Sequence, residues 1–220
     1  MVQGRRISEL QRPDVAWTEV HAICCETALG GAPLPDGIRW PFFGQLWVGP
    51  YEELFPDWTW VWVDDHERVF GYITLCPNTL AFEKAMRWRF RPRLALQILL
   101  KRYPWNGDAR RILRRWVGIE TSPEDFFDPK LLADVKAKYP AHLHTNLRSA
   151  ARGSGGGKRI WELGLEELRR RGVSGIHLFC GDAPVGFYQK CGFEILQSVE
   201  WKAGVKVHLM VRLIPRSEPT

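Results

Sequence analysis

The sequence predicts an α/β (α+β) fold in which strands and helices interleave, and three observations predict it. A glycine-rich turn, Arg152 to Arg159, joins a strand-like run (His142 to Leu147) to a helical run (Ile160 to Arg171). The elements around it read in the order one helix, a hairpin, then β-α-β-α-β-β. The composition, 45% hydrophobic and 25% charged over 220 residues, is that of one soluble globular domain.

Each element has its own signal. Val15 to Leu29 reads as a helix with Pro13-Asp14 at its start and Gly30-Gly31 at its stop. Residues 30 to 56, rich in Pro, Gly and aromatics, read as a long irregular segment. Trp58 to Val63 alternates aromatic and β-branched residues, Asp64 to Glu67 is a solvated turn, and Val69 to Leu75 returns as a hairpin. Residues 78 to 138 read as helices broken at Pro92, Pro104, Pro123 and Pro129. After the glycine turn and its helix, Gly172 to Phe179 gives a turn and a strand. A short helix follows, and Glu194 to Trp201 and Val205 to Leu213 close as a hairpin through Lys202-Ala203-Gly204. No repeat is visible.

Several function classes fall away at this level. The apolar runs are too short to span a bilayer, so no membrane role is expected. Met1 to Leu10 carries Arg5 and Arg6 without a following apolar segment, so no signal peptide is expected. The five cysteines (Cys24, Cys25, Cys76, Cys180, Cys191) are odd in number and lack Cys-x-x-Cys spacing, which points to a reducing, cytoplasmic compartment. A net charge of +6 suits an anionic cofactor, and it suits nucleic acid too.

The turn itself points to a phosphate. The first N–H groups of a helix have no intrahelical partner and carry the positive end of its dipole. A Walker loop fails on spacing, because Arg152 stands where its first glycine belongs. A Rossmann turn begins at Gly153-Ser154-Gly155, but basic residues replace the rest and no acidic residue ends a following strand. A flexible glycine linker is the plainer alternative. A linker has no need of a strand before it and an amphipathic helix after it.

Arg152-Gly153-Ser154-Gly155-Gly156-Gly157 matches Gln/Arg-x-x-Gly-x-Gly and resembles the coenzyme A pyrophosphate loop of the GCN5-related N-acetyltransferases. Gly186-Phe187-Tyr188-Gln189-Lys190-Cys191-Gly192-Phe193 resembles that family's second signature. Upstream, Tyr139-Pro140-Ala141-His142-Leu143-His144 resembles the acetyltransferase-like domain of O-GlcNAc hydrolases and its free-standing bacterial relatives. The resemblance implies a single domain over 1–220, with a mixed central sheet of about six to seven strands flanked by helices. Within it, 139–200 is the cofactor-binding core, and 78–138 is a helical insertion between the third and fourth strands. It also implies acetyl-CoA (coenzyme A) as cofactor and an amine of a small molecule or protein as acceptor, in a monomer or homodimer.

The resemblance implies roles for individual residues. The backbone at Thr145 and Leu147 pairs with the pantetheine arm, and a bulge near Asn146 aims an N–H at the thioester oxygen. The N–H groups along Arg152, Gly153, Ser154, Gly155, Gly156, Gly157 and Lys158 hold the pyrophosphate, and Phe187 packs along the arm. Tyr188 is the candidate general acid, since a phenol with a reference pKa of about 10 is protonated at neutral pH. Read without the family, Phe187-Tyr188 is a core-facing aromatic pair. His142, His144 and Asn146 share one strand face, so either histidine is a candidate base or relay, His144 with Asn146 beside it being the one carried forward. The same two histidines read equally as hydrogen-bonded strand residues. His-x-His is also a metal half-site, but no further ligands stand at suggestive spacing and no metal is expected. His208 is an outlying candidate.

One departure stands out. The segment Cys180 to Gly186 is shorter than the family's loop and lacks its Asn. Asp182 is expected to cap the short helix instead, with Pro184 in its first turn. The short segment keeps open a catalytically inactive binding or interaction module. The basic run from Lys84 to Arg115, with Trp88, Trp105 and Trp116, admits nucleic acid as a further alternative. It reads more readily as a solvated face over a buried tryptophan stripe, forming a lid on the acceptor side. A nucleic-acid partner is therefore not expected.

Overall fold

The structure, a computed structural model, describes residues 2–35, 40–103, 107, 110–111, 114 and 122–215. β1 (Gln3–Arg6) pairs antiparallel with β2 (Thr59–Val63). Its residues show no apolar alternation, so the sequence does not announce it. Charge holds it instead, for Arg6 lies over the Trp60 ring and reaches Glu167. α1 (Pro13–Glu26) buries Trp17, Val20, Ile23 and Cys24 against Val61, Val63 and Tyr72. It stops short of Leu29, with Thr27 Oγ1 bonded back to the Ile23 carbonyl.

The segment expected to be irregular holds two short helices, α2 (Trp40–Trp47) and α3 (Gly49–Leu54). Neither is long enough to show a clear period. Helices this short are held by docking rather than propensity. Phe42 of α2 packs into a cluster with Phe90, Leu94 and Ile98.

β3 (Val69–Cys76) completes the hairpin with β2. The insertion then begins with α4 (Thr79–Ala85), capped by the Asn78 side chain on the Ala81 N–H. A π turn (Met86–Phe90) carries it into α5 (Arg91–Leu99) without a break. Pro92 therefore does not end the helix. Proline lacks an N–H and crowds the carbonyl four residues back, and the widened turn just before it gives the ring room. Trp88 is 71% exposed, which corrects the expectation of a buried tryptophan stripe. The buried residues are Phe90, Leu94 and Ile98. Pro104, Trp105, Arg115 and Trp116 lie outside the described residues. Pro123 opens a 3₁₀ turn and Pro129 opens α6 (Pro129–Lys138), whose Asp128 cap accepts from the Lys130 and Leu131 N–H groups.

β4 (Ala141–Leu147), α7 (Gly156–Arg170), β5 (Gly175–Cys180), α8 (Val185–Lys190), β6 (Glu194–Lys202) and β7 (Val205–Leu213) follow in the expected order. The sheet is mixed and seven-stranded, in the order β1-β2-β3-β4-β5-β7-β6. One face packs on α7 and α8 through Trp60, Ile73, Leu75, Ile160, Trp161 and Leu165. The other face is covered by α1 at the β2–β3 end and by α6 under β7. Among the described residues, no helix is long and apolar enough to cross a membrane.

Candidate active site

The site opens where the sheet splits. β4 and β5, its parallel pair, are in register only at Ala141–Ile176 and His142–His177. Beyond that they part. β4 remains paired on its other side, one-to-one from Gly71–Leu147 to Cys76–His142. The Arg148 N–H bonds the Phe70 carbonyl in the same register. Antiparallel pairs alternate in where their backbone groups point. His142, His144 and Asn146 therefore turn their N–H and C=O toward β3. Leu143 turns its N–H to His177 of β5, and Thr145 and Leu147 turn theirs into the split. Thr145 and Leu147 are the two positions where the sequence placed the contact with a pantetheine arm. No bulge interrupts the β3–β4 register at Asn146, which corrects that expectation. The Asn146 N–H faces Tyr72, and the donors in the split are those of Thr145 and Leu147.

The end of β4 is fixed before the glycine loop begins. Arg148 reaches Glu26 at 2.9 Å, Glu19 at 3.1 Å and the Val69 carbonyl, tying the strand to α1. Arg152 turns back to the carbonyls of Leu147 and Gly31, bracing the loop with its side chain. The glycines then divide the work. Gly153 and Gly155 have φ of +79° and +84°, a backbone that other residues adopt only with strain. Gly156 and Gly157 are needed for closeness. A Cβ on Gly156 would lie 2.6 Å from the Trp62 indole nitrogen, and one on Gly157 would lie 3.2 Å from Leu147 and 3.3 Å from Phe187. The Ser154 hydroxyl occupies the Gly156 N–H at 3.3 Å. The Gly157 and Lys158 N–H groups belong to the first turn of α7, whose ladder begins with Arg159 on the Gly155 carbonyl. The Lys158 side chain is exposed beside them. A cavity of about 420 Å³ touches the loop from the β1 side, against Gly4 and Trp62, and does not include the β4 edge.

On the opposite face of β4, side chains from three elements converge. His144 Nδ1 lies 3.2 Å from Tyr72 Oη, and Asn146 Nδ2 donates to the same oxygen at 3.0 Å. The Trp47 indole of α2 stacks on the His144 ring, 6.1 Å between centroids and 22° between planes. Trp47 remains 46% exposed, so this stack borders solvent. Burial pulls the His144 pKa down to about 4 and that of His142 to about 3, the latter helped by His177. Both rings are neutral at pH 7. His142 is a structural residue: Thr79 Oγ1 holds its Nδ1 at 2.7 Å, with Phe82 and Tyr51 packed around the ring. Among the described residues, no group of three metal-ligating side chains gathers.

Tyr188 stands on α8, packed against Phe187 and Phe193. Its ring is buried, and burial beside Cys180 and Cys191 holds the phenol well above its usual pKa. Its hydroxyl has no hydrogen-bond partner among the described residues. Asp182 does not cap α8. It bonds His208 Nε2 at 2.8 Å, and His208 Nδ1 meets Ser198 Oγ at 2.7 Å. The short segment is thereby pinned to β7 and β6, and the α8 start relies on the Asp182 carbonyl, which accepts from the Val185 N–H.

No family model matches the chain. The solved structure of a protein named SsHAT superposes with a TM-score of 0.72 at 26% identity, over 98% of this chain and 99% of that one. A GCN5-related N-acetyltransferase from Kribbella flavida gives 0.53 at 18% identity, over 96% and 97%. The NatC complex bound to Gag peptide and CoA gives 0.50 at 11% identity, over 97% and 99%. The latter two likenesses speak to the fold alone. The split sheet, the loop at the start of α7 and this breadth of likeness agree. The fold is that of the GCN5-related N-acetyltransferases.

The sequence singled out the loop, the β4 edge, Phe187, Tyr188, His144 and Asn146. It did not single out Tyr72 or Trp47. Tyr72 was legible only as one aromatic of a hairpin, and Trp47 lay in a segment without a readable period. The structure brings Tyr72, Trp47, His144 and Asn146 onto one face. Tyr188 stands on the other face, across the split.

Proposed function

We propose that this protein acetylates an amine, on a small molecule or a protein, with acetyl-CoA as donor. The observation that carries this reading is the unpaired β4 edge running directly into open N–H groups at the α7 start. The residues present fit that donor. The backbone of Thr145 and Leu147 pairs with its amide arm, Phe187 lines the arm, and Gly157 leaves the room that a side chain would fill. Gly157, Lys158 and the remaining loop N–H groups hold the pyrophosphate. When bound, the donor supplies an acetyl thioester.

The chain's own groups manage protons and charge. The amine nitrogen loses its proton to His144 Nε2 as it bonds to the acetyl carbon. An N–H of the β4 edge steadies the carbonyl oxygen. Tyr188 Oη holds the proton that the departing sulfur takes, and regains one from solvent. A phenol kept protonated by burial suits that role, and a neutral imidazole does not repel an incoming ammonium. The Trp47 face attracts the same cation. The insertion packs on α2, which carries Trp47, so its arginines flank the acceptor entrance and suit an acidic acceptor. Five free cysteines suit a cytoplasmic setting.

Calorimetry with acetyl-CoA, followed by thiol release in an amine screen, tests this. Saturating ligand at a hundred times its dissociation constant should stabilise the fold by about 2.7 kcal/mol. Absence of binding at millimolar acetyl-CoA would overturn the reading.

A further inference from the structure

Away from the split, three side chains form a hydrogen-bonded chain of their own. Asp182 Oδ1 lies 2.8 Å from His208 Nε2, and His208 Nδ1 lies 2.7 Å from Ser198 Oγ. The sheet sets them side by side, for Cys180 pairs with His208 and His208 pairs with Ser198. The partners fix the protons. A carboxylate can only accept, so the Asp182 contact puts the ring proton on Nε2. In the neutral ring Nδ1 then presents a lone pair, and the Ser198 hydroxyl donates to it. A serine proton aimed at a histidine, itself oriented by a carboxylate, is the arrangement that activates a nucleophile. His208 is 7% exposed, so the sheet holds its ring in place. Ser198 is exposed, on a strand that pairs only with β7 among the described residues. Gln197, Ser198 and Val199 pair with Leu209, His208 and Val207 without a break. Antiparallel backbone groups alternate in direction, so an N–H facing away from β7 lies at Ser198 or at both residues beside it. Such a donor is in place to meet an oxyanion formed on the serine.

We propose that Ser198, His208 and Asp182 form a second catalytic site, which hydrolyses acyl esters through an acyl-serine. Ser198 Oγ bonds to the acyl carbon, and its proton passes to His208 Nδ1. The ester's alcohol oxygen breaks from that carbon and leaves with the proton. Water then attacks the acyl-serine and gives a proton to Nδ1, and Ser198 Oγ takes it back as the acid departs. Asp182 accepts from Nε2–H throughout and steadies the charged ring. Ester and water become acid and alcohol, with no other co-reactant. This activity is independent of acetyl transfer, since none of the three residues serves that reading and no acetyl-CoA is consumed.

A fluorophosphonate probe tests this directly, because it phosphonylates activated serines and passes over ordinary hydroxyls. The wild type should carry the phosphonyl group on Ser198, read by mass spectrometry on the tryptic peptide Cys191–Lys202. Folded His208→Gln should lose it. An unlabelled Ser198 in the wild type, or equal labelling in His208→Gln, overturns the proposal. Hydrolysis of p-nitrophenyl acetate gives the kinetic arm. His208→Gln should lower it about 10²-fold or more, the scale of a lost general base. Ser198→Ala, a change on an exposed strand, should lower it as far. Asp182→Asn should lower it too, because an amide can donate to Nε2 and send the ring proton to Nδ1, where it faces Ser198. Hydrolysis undiminished in Ser198→Ala overturns the proposal even if His208→Gln fails to fold.

Discussion

The loop between β4 and α7 takes its chemistry from one stretch, Arg152 to Lys158, and mainly from its backbone. The face under Trp47 draws on α2, β3 and β4, and only on side chains. Both meet at β4, which turns Thr145 and Leu147 to one and His144 and Asn146 to the other. A backbone site is written locally, because glycine at a given place is itself the specification. A side-chain site is written in register, and register appears only when strands pair. The loop should therefore break at single glycines, whereas the face should respond in degrees.

The largest effect is expected at the loop. Gly157→Asp places a side chain against Leu147 and Phe187 and a negative charge at the proposed pyrophosphate seat, and it should abolish acetyl-CoA binding by calorimetry. Gly155→Asp should do the same for a different reason, since its φ of +84° strains any side chain although the space around it is open. Wild-type affinity in both would place the cofactor elsewhere. Next comes Tyr188→Phe, which should lower kcat about 10²-fold while the acetyl-CoA dissociation constant stays within error. Equal turnover would make Tyr188 a packing residue.

A third expectation concerns acid. His142 and His144 are held neutral in the fold, at about 3 and 4, against an ordinary value of 6.5. Between those values the unfolded chain binds more protons, so stability is intact above pH 6.5 and falls as pH drops toward 4. Glu167, held at about 2 first by Arg170 and then by Arg171 and Arg6, pushes the same way: its contribution is present above pH 4.5 and is lost toward pH 2. Urea midpoints should decline steadily from pH 7 to pH 4, and His142→Gln should flatten the upper part of that decline. A flat profile would mean the histidines are solvated. The smallest effect is expected at the face. Trp47→Ala should raise the amine KM about fivefold, as a partly exposed cation–π contact of about 1 kcal/mol implies, with little change in kcat. A large fall in kcat instead would mean that the ring also holds His144 in place.

What was legible follows the same division. The order of β2 to β7, the loop and Tyr188 carry local signatures: alternation, glycine at fixed offsets, an aromatic pair before Gly192-Phe193. β1 was not legible, because Arg6 is held by Trp60 and Glu167, residues far away in sequence. The bulge expected at Asn146 came from resemblance, and the β3–β4 ladder has no extra residue to supply it. Asp182 was read as a cap because acidic residues often cap, but His208 comes within reach only after β7 folds beside β5. Pro92 was read as a break because the π turn that accommodates it leaves no trace in composition.

The split between β4 and β5 has a further consequence for exchange with solvent. Two register pairs, Ala141–Ile176 and His142–His177, join β1–β4 to β5–β7, so the sheet has inner margins as well as outer ones. The amides of Thr145 and Leu147 lie mid-sheet, yet without ligand they should trade hydrogen for deuterium like those of a rim strand. The neighbouring amides of His144 and Asn146, bonded to β3, should be protected. Alternating fast and slow positions along one central strand would give this molecule a labelling pattern that an unbroken sheet lacks, and a ligand lying in the split would erase it.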